Sequence, residues 1–255
     1  MHVDKFNNDE YVKIKQGYEP ENSQYSRYVE EFDRIGYLRA VERISKRYPK
    51  YIKEFEKIGN SEDTIKIIPN FLSNDDCKIM SDFIQKNNDK VLIEKNSIDD
   101  ENIYKLVSNI EISMFKKVLE NYTQKYNVEF ETDPIMPAHF VNWNYEKNKL
   151  LSIHSDCETP NGDPAVPNGY YRYNLSALCY LNNDYEGGEL YFPDLNKTIK
   201  PKLGDLIMFP SRFKHGVQTI KKGFRHTLVL WYTFNIKDDD FIDIPVLNGN
   251  KILFN

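Results

Sequence analysis

Cysteine is scarce in this sequence: Cys77, Cys157 and Cys179 are the only three in 255 residues, at wide and irregular intervals. No CxxC spacing offers a zinc site, and an odd count argues against a disulfide framework. A surplus of positive charge is also missing, since 34 Lys and Arg face 39 Asp and Glu for a formal charge of −5. Proteins that grip polyphosphates usually carry a basic excess, so nucleic acid is disfavoured as a partner. No run of about 18 apolar residues is present to span a membrane. The opening Met-His-Val-Asp-Lys lacks the basic-then-apolar layout of a signal peptide. The expectation is a soluble protein of a reducing, cytoplasmic compartment, without a membrane partner. Apolar material is not short, with 40% hydrophobic residues, 18 Tyr and 15 Phe. That suffices for a sizeable core and for one large domain with extensions.

Residues 1–60 read as a helical N-terminal extension, with apolar positions at helical spacing through Tyr28, Phe32, Ile35 and Leu38 until Pro49 interrupts them. A short strand is expected from Ile65. Ser73 should cap a helix, with Asp76 completing a capping box. A second helix is expected over 103–122, its stripe formed by Leu106, Val107, Ile110, Met114 and Val118. From Pro137 the pattern turns to short β-prone segments: 139–145, 150–154, 173–181, 189–192, 206–209, 215–220 and 224–234. Gly187-Gly188, 202–205 and 221–223 supply turns. The fold class is α+β with a mainly β core, a sandwich or jelly roll, and flanking N-terminal helices. The long Pro- and Gly-containing loop 157–172 reads as a functional lid. Residues 237–255 form a tail with an acidic run at 238–240 and a hairpin signal at Asn248-Gly249.

The chemistry concentrates at His154-Ser155-Asp156, at the end of a strand. Side chains two apart on a strand share a face, so the imidazole and the carboxylate can meet one ion. His215 begins a later strand. Two histidines and a carboxylate form the facial set associated with non-haem Fe(II), with positions left open for other ligands. Arg225 follows across a glycine-containing turn, where its planar fork can grip a carboxylate bidentately.

Further segments surround these residues in order. Ile68-Pro-Asn-Phe-Leu-Ser stands near Cys77, and Tyr145 lies nine residues before His154. Arg172, Leu175-Ser176-Ala177 and Tyr180-Leu181-Asn182 come next. Tyr185-Glu-Gly-Gly-Glu-Leu-Tyr-Phe-Pro precedes Lys200-Pro-Lys-Leu-Gly-Asp-Leu-Ile-Met-Phe-Pro-Ser, and Gly223-Phe-Arg225 and Trp231 close the series. With them the sequence resembles the prolyl 4-hydroxylase-like branch of the 2-oxoglutarate/Fe(II)-dependent dioxygenases over roughly 64–236, and residues 61–236 are read as that domain.

The resemblance implies a double-stranded β-helix that uses Fe(II), 2-oxoglutarate and dioxygen, and leaves ascorbate open as an accessory reductant. His154, Asp156 and His215 would hold the metal. Arg225, with Tyr145, Tyr180 and Thr227, would hold 2-oxoglutarate, and Arg172 and Trp231 would face substrate. Retention of Asp156 favours hydroxylation over halogenation, and peptidyl proline is the leading substrate. Hydroxylation of a free amino acid or other small molecule is the alternative, followed by a non-catalytic jelly-roll binding module. A nucleic-acid substrate is disfavoured again, because no second arginine closely follows Arg225.

Overall fold

The computed structural model describes residues 49–146, 151–157 and 172–236. The 28–38 helical pattern, the acidic run at 238–240, the Asn248-Gly249 signal and the loop between Cys157 and Arg172 lie outside the described residues. The first described element is a helix, α1, over residues 49–58. It buries Tyr51, Phe55 and Ile58. The rings of Tyr51 and Phe55 meet Phe234 at 6.4 and 5.0 Å. The end of the N-terminal segment therefore packs into the same core as the sheet.

Helix α2 spans Asn74–Lys86 and begins at the expected cap. The Asp76 N–H donates to Ser73 Oγ at 3.1 Å. The reciprocal bond runs from the Ser73 hydroxyl to Asp76 Oδ2 at 2.7 Å rather than to the carboxylate from the backbone N–H. Helix α3, Glu101–Val118, starts ahead of the expected 103 because Asp100 caps it, accepting from the N–H groups of Asn102 and Ile103. Ile103, Val107, Ile110, Met114 and Val118 are its buried face. The helix continues through a π turn, Leu119–Thr123, and a last turn, Gln124–Tyr126, and stops at Asn127 in the left-handed region at φ 53°. Asn tolerates that conformation better than most residues. The π turn places the Tyr122 hydroxyl 2.7 Å from Thr64 O and 3.0 Å from Met208 O, which ties the helix layer to the sheet.

The described residues hold twelve strands, of which β2, β6 and β8 lie outside the segments expected from the sequence: β1 Lys66–Ile68, β2 Leu92–Glu94, β3 His139–Asn144, β4 Leu151–His154, β5 Leu175–Tyr180, β6 Glu186–Gly187, β7 Leu190–Phe192, β8 Lys197–Ile199, β9 Leu206–Pro210, β10 His215–Val217, β11 Ile220–Lys222 and β12 Phe224–Tyr232. Six form an antiparallel sheet in the order β1-β9-β5-β12-β3-β2, four form a second in the order β4-β10-β7-β8, and β11 pairs with β6. Tyr180, Ile207 and Phe209 from the larger sheet pack against Leu190, Phe192 and Ile199 from the smaller. Two antiparallel sheets closed over a shared core make a jelly roll. On β12, Leu228, Leu230 and Tyr232 pack toward the helices. By strand alternation Arg225, Thr227, Val229 and Trp231 occupy the face toward the smaller sheet.

The strand expected over 215–220 is divided. β10 pairs with β4 and β7, whereas β11 pairs with β6, so the chain changes partners at Gln218 and Thr219. The crossing is tight: a Cβ on Gly187 would lie 2.2 Å from Thr219 O, and its φ of +77° also favours glycine. The turn expected over 221–223 narrows to Gly223 for the same reason, because Lys221 and Lys222 belong to β11. All three cysteines are buried and unpaired with one another. No described helix is long and apolar enough to cross a membrane.

Candidate metal centre

The register of the smaller sheet sets His154, at the end of β4, directly opposite His215, at the start of β10. Their imidazole centroids are 4.5 Å apart. Asp156 lies just past β4, where its N–H donates to Ser211 O at 2.9 Å. Asp156 Oδ1 is 3.1 Å from His154 Nε2 and 3.7 Å from His215 Nε2. The three side chains form a group able to hold a cation, with ligand atoms all within 4.8 Å of one another.

The tautomers follow from the backbone. His154 Nδ1 is 2.8 Å from Ser152 O, and His215 Nδ1 is 2.9 Å from Phe213 O. A carbonyl only accepts, so each Nδ1 carries the proton and each Nε2 presents a lone pair. Three lone pairs therefore converge, two from nitrogen and one from a carboxylate. Such a cluster repels itself unless a proton or a cation lies among them. First-row divalent ions bind N and O donors at about 2.0–2.2 Å. Two such bonds at a right angle separate their donors by about 3 Å, close to the observed 3.1 Å.

Titration behaviour agrees with that electrostatic picture. Burial alone would raise the Asp156 carboxyl, but the imidazoles of His215 and His154 beside it and the hydrogen bond from Ser176 hold it well below the usual carboxylate range. Burial lowers His215, only partly offset by Asp156. His154 is raised, because its contact with Asp156 outweighs the effect of burial.

Arg225 lies buried on the inner face of β12. It is 1% exposed. Its Nη2 donates to Tyr180 Oη at 3.0 Å, and the guanidinium carbon lies 4.9 Å from the Tyr180 ring centroid. Tyr185 also hydrogen-bonds to Arg225, while burial pushes the Tyr185 hydroxyl up to about 12. Arg225 Nε is buried without an acceptor, and among the described residues no carboxylate pairs with the guanidinium. A buried cation with tyrosine hydroxyls, a spare donor and no counter-charge suits an anionic ligand. Gly188 lets the chain pass close to Arg225, since a Cβ there would come within 3.1 Å of Arg225 Cδ and 3.2 Å of the Tyr185 ring. Thr227 is buried on the same face and pairs across the sheet with Tyr180.

Of the other expected residues, Tyr145 and Arg172 lie elsewhere and Trp231 joins the metal group. Tyr145 falls in the turn after β3, where strand alternation no longer aims the side chain; it is 39% exposed and donates its hydroxyl to Glu146 Oε1 at 2.9 Å. Arg172 pairs with Glu131 at 3.6 Å. Trp231 donates its indole N–H to Asp156 Oδ2 at 2.8 Å, so it touches the triad itself. His226 faces the helices, with Nδ1 2.7 Å from Ser81 Oγ, and burial pulls it down to about 4. Sequence reasoning gave no role to Tyr185 or Ser176, although both stand in motifs it had singled out. Ser176 donates to Asp156 Oδ2 at 2.5 Å and shares a 2.7 Å hydrogen bond with Ser211.

Residues 140–233 match the family model described as 2OG-Fe(II) oxygenase superfamily. A PKHD-type hydroxylase of Prochlorococcus marinus (strain NATL1A) is 42% identical over 87 residues, covering 31% of this chain and 38% of that protein. Prolyl 3-hydroxylase 2 of Homo sapiens is 40% identical over 76 residues, covering 27% of this chain and 11% of that one. The matches thus span well under half the length of either relative. A solved prolyl 4-hydroxylase from Phytophthora capsici superposes with a TM-score of 0.52 at 15% identity, over 72% of this chain and 65% of that one, a likeness of fold alone.

Proposed function

With residues 140–233 a 2OG-Fe(II) oxygenase superfamily domain, we propose that this chain is an Fe(II)- and 2-oxoglutarate-dependent dioxygenase that hydroxylates a peptidyl residue, with proline the leading target. The observation that carries the reading is the convergence of three lone pairs from His154, Asp156 and His215. Bound Fe(II) would supply oxidative chemistry in which dioxygen converts 2-oxoglutarate to succinate and carbon dioxide while one oxygen atom enters a C–H bond of the substrate.

The chain's own residues provide placement. His154 and His215 offer nitrogen lone pairs, and Asp156 offers the charge that favours a divalent cation over a proton. Arg225 would take the distal carboxylate of 2-oxoglutarate, with Tyr180 hydrogen-bonded to the same guanidinium and Thr227 beside it. Tyr185 joins this group on its contact with Arg225, and Tyr145 would join it only by turning away from Glu146. The apolar wall of Leu190, Phe192 and Phe209 excludes water from the space between the sheets.

Peptidyl proline is favoured by the likeness to a prolyl 3-hydroxylase, and Arg172 is its proposed contact at the mouth. A free amino acid or other small molecule is the rival substrate. The remaining proposals are a cytoplasmic location and ascorbate as an accessory reductant. Succinate release from 2-oxoglutarate, measured with Fe(II) against proline-containing peptides, free amino acids and no substrate, tests the reading. Peptide-dependent succinate with a gain of 16 Da on a prolyl residue is expected. Coupled turnover only with a free amino acid would move the substrate to the small-molecule class. No succinate under any condition, together with no stoichiometric metal binding, would remove the dioxygenase assignment.

A further inference from the structure

Asp156 is held from behind. Its Oδ2 accepts from Ser176 Oγ at 2.5 Å and from Trp231 Nε1 at 2.8 Å. Oδ1 is left facing both histidine Nε2 atoms. Each donor is fixed in turn. Ser176 lies on β5 directly opposite Trp231 on β12 and shares a hydrogen bond with Ser211, whose carbonyl also holds the Asp156 N–H. The Trp231 indole stacks on Tyr173 with ring centroids 5.3 Å apart and meets His139 edge-on at 5.7 Å.

We propose that Trp231 and Ser176 are positioning residues that lock the carboxylate plane of Asp156, so that Oδ1 alone is offered to the cation. This rests on the reading of His154, Asp156 and His215 as the metal ligands. The physical reason lies in the carboxylate's choices. A free carboxylate can swing and offer both oxygens, which would take two of the cation's positions and leave fewer for a bidentate 2-oxo acid and dioxygen. Two donors on Oδ2 occupy the lone pairs that chelation would need. They also stabilise the anion without a competing positive side chain, so the negative charge remains available to the metal. Trp231 is thereby assigned to metal positioning instead of the substrate contact that the family resemblance implies.

The test measures Mn(II) binding to the full chain anaerobically, by the EPR signal of free Mn(II), for wild type, Asp156→Ala, Trp231→Phe, Ser176→Ala and Ser176→Thr. Trp231→Phe keeps the ring on Tyr173 but removes the donor, and Ser176→Thr keeps the hydroxyl. Loss of an outer hydrogen bond to a metal ligand typically costs about 10–100-fold in affinity. Trp231→Phe and Ser176→Ala should each weaken Mn(II) by about tenfold or more, with Ser176→Thr close to wild type. As a second readout, the Trp231 indole ¹⁵N–H resonance should be protected from solvent exchange, shift when Zn(II) is added, and lose protection in Asp156→Ala. Wild-type affinity in both Trp231→Phe and Ser176→Ala, with binding lost in Asp156→Ala, would overturn the clamp and leave the metal site standing. Unchanged binding in Asp156→Ala would overturn the metal site itself.

Discussion

Replacing Arg225 by Met separates a ligand-binding charge from a structural one. In a structural ion pair, removing the cation strands a buried carboxylate and costs about 3–5 kcal/mol of stability. Here the guanidinium is 1% exposed and meets tyrosine hydroxyls, with Nε unbonded. Arg225→Met therefore loses two hydrogen bonds worth about 1 kcal/mol each but relieves the desolvation of an uncompensated cation, so the ligand-free protein should change by no more than about 1–2 kcal/mol. Co-substrate binding should respond very differently. The distal carboxylate of 2-oxoglutarate would meet the same tyrosines without a counter-charge, at a cost on the order of 3–5 kcal/mol. That corresponds to roughly a hundredfold to several-thousandfold in affinity. Tyr180→Phe or Tyr185→Phe removes one hydrogen bond, worth about 1 kcal/mol or roughly fivefold. Anaerobic titration calorimetry of 2-oxoglutarate into Mn(II)-loaded protein, beside thermal denaturation of ligand-free protein, reads both sides. Unaltered binding by Arg225→Met would refute the assignment of Arg225, and so would a ligand-free protein destabilised by more than about 3 kcal/mol.

His154→Ala, Asp156→Ala and His215→Ala should each abolish stoichiometric metal binding while leaving the circular dichroism spectrum unchanged, because backbone hydrogen bonds fix these positions independently of their side chains; retained binding in any of them would remove that residue from the site. Gly188→Ala should weaken 2-oxoglutarate binding and destabilise the fold by about 1–3 kcal/mol, since the added methyl presses on Arg225 and Tyr185 at a positive φ; equal affinity by calorimetry would show the packing around Arg225 to be looser than described. His226 is pulled from an ordinary 6.5 to about 4 by burial, so between those values the unfolded chain binds a proton that the native state does not. Stability should therefore fall as pH drops from 6.5 to 4, by up to about 3 kcal/mol, and His226→Gln should flatten that portion of a denaturation-versus-pH curve; an identical slope in the variant would contradict the assignment.

Those elements set by local rules were legible in the sequence. The Ser73 cap, the buried stripe of α3 and the strand that ends in His154 all depend on spacing within a few residues. Strand alternation alone sets Arg225 and His226 on opposite faces of β12. What escaped depends on contacts between distant segments. Nothing near residue 231 reveals that its indole meets Asp156, because that meeting needs β12 to lie beside β5 and both to face β4. The division of 215–220 escaped for a related reason, since an uninterrupted β-prone run does not record that its two halves pair with different sheets. The family resemblance puts Tyr145 with the co-substrate group, but β3 ends at Asn144 and the turn that follows aims its side chain at Glu146 instead. Tyr185 had been noted only as part of a glycine-rich motif; its approach to Arg225 depends on how Gly188 bends the chain.

The hydrogen bond from Trp231 to Asp156 bridges 75 positions of the chain, and this separation has a consequence for biosynthesis. At about 5–20 residues per second, a ribosome needs roughly 4–15 s after completing Asp156 to reach Trp231. Throughout that interval the nascent polypeptide displays His154 and Asp156 without His215 for most of the time and without the indole for all of it. Iron captured then would meet an incomplete ligand set. Closure of so long a loop is also entropically slow, so the sheets must associate before the cation gains its full complement of donors. A cation held by His154, Asp156 and His215 would thus join after β4 and β10 have paired.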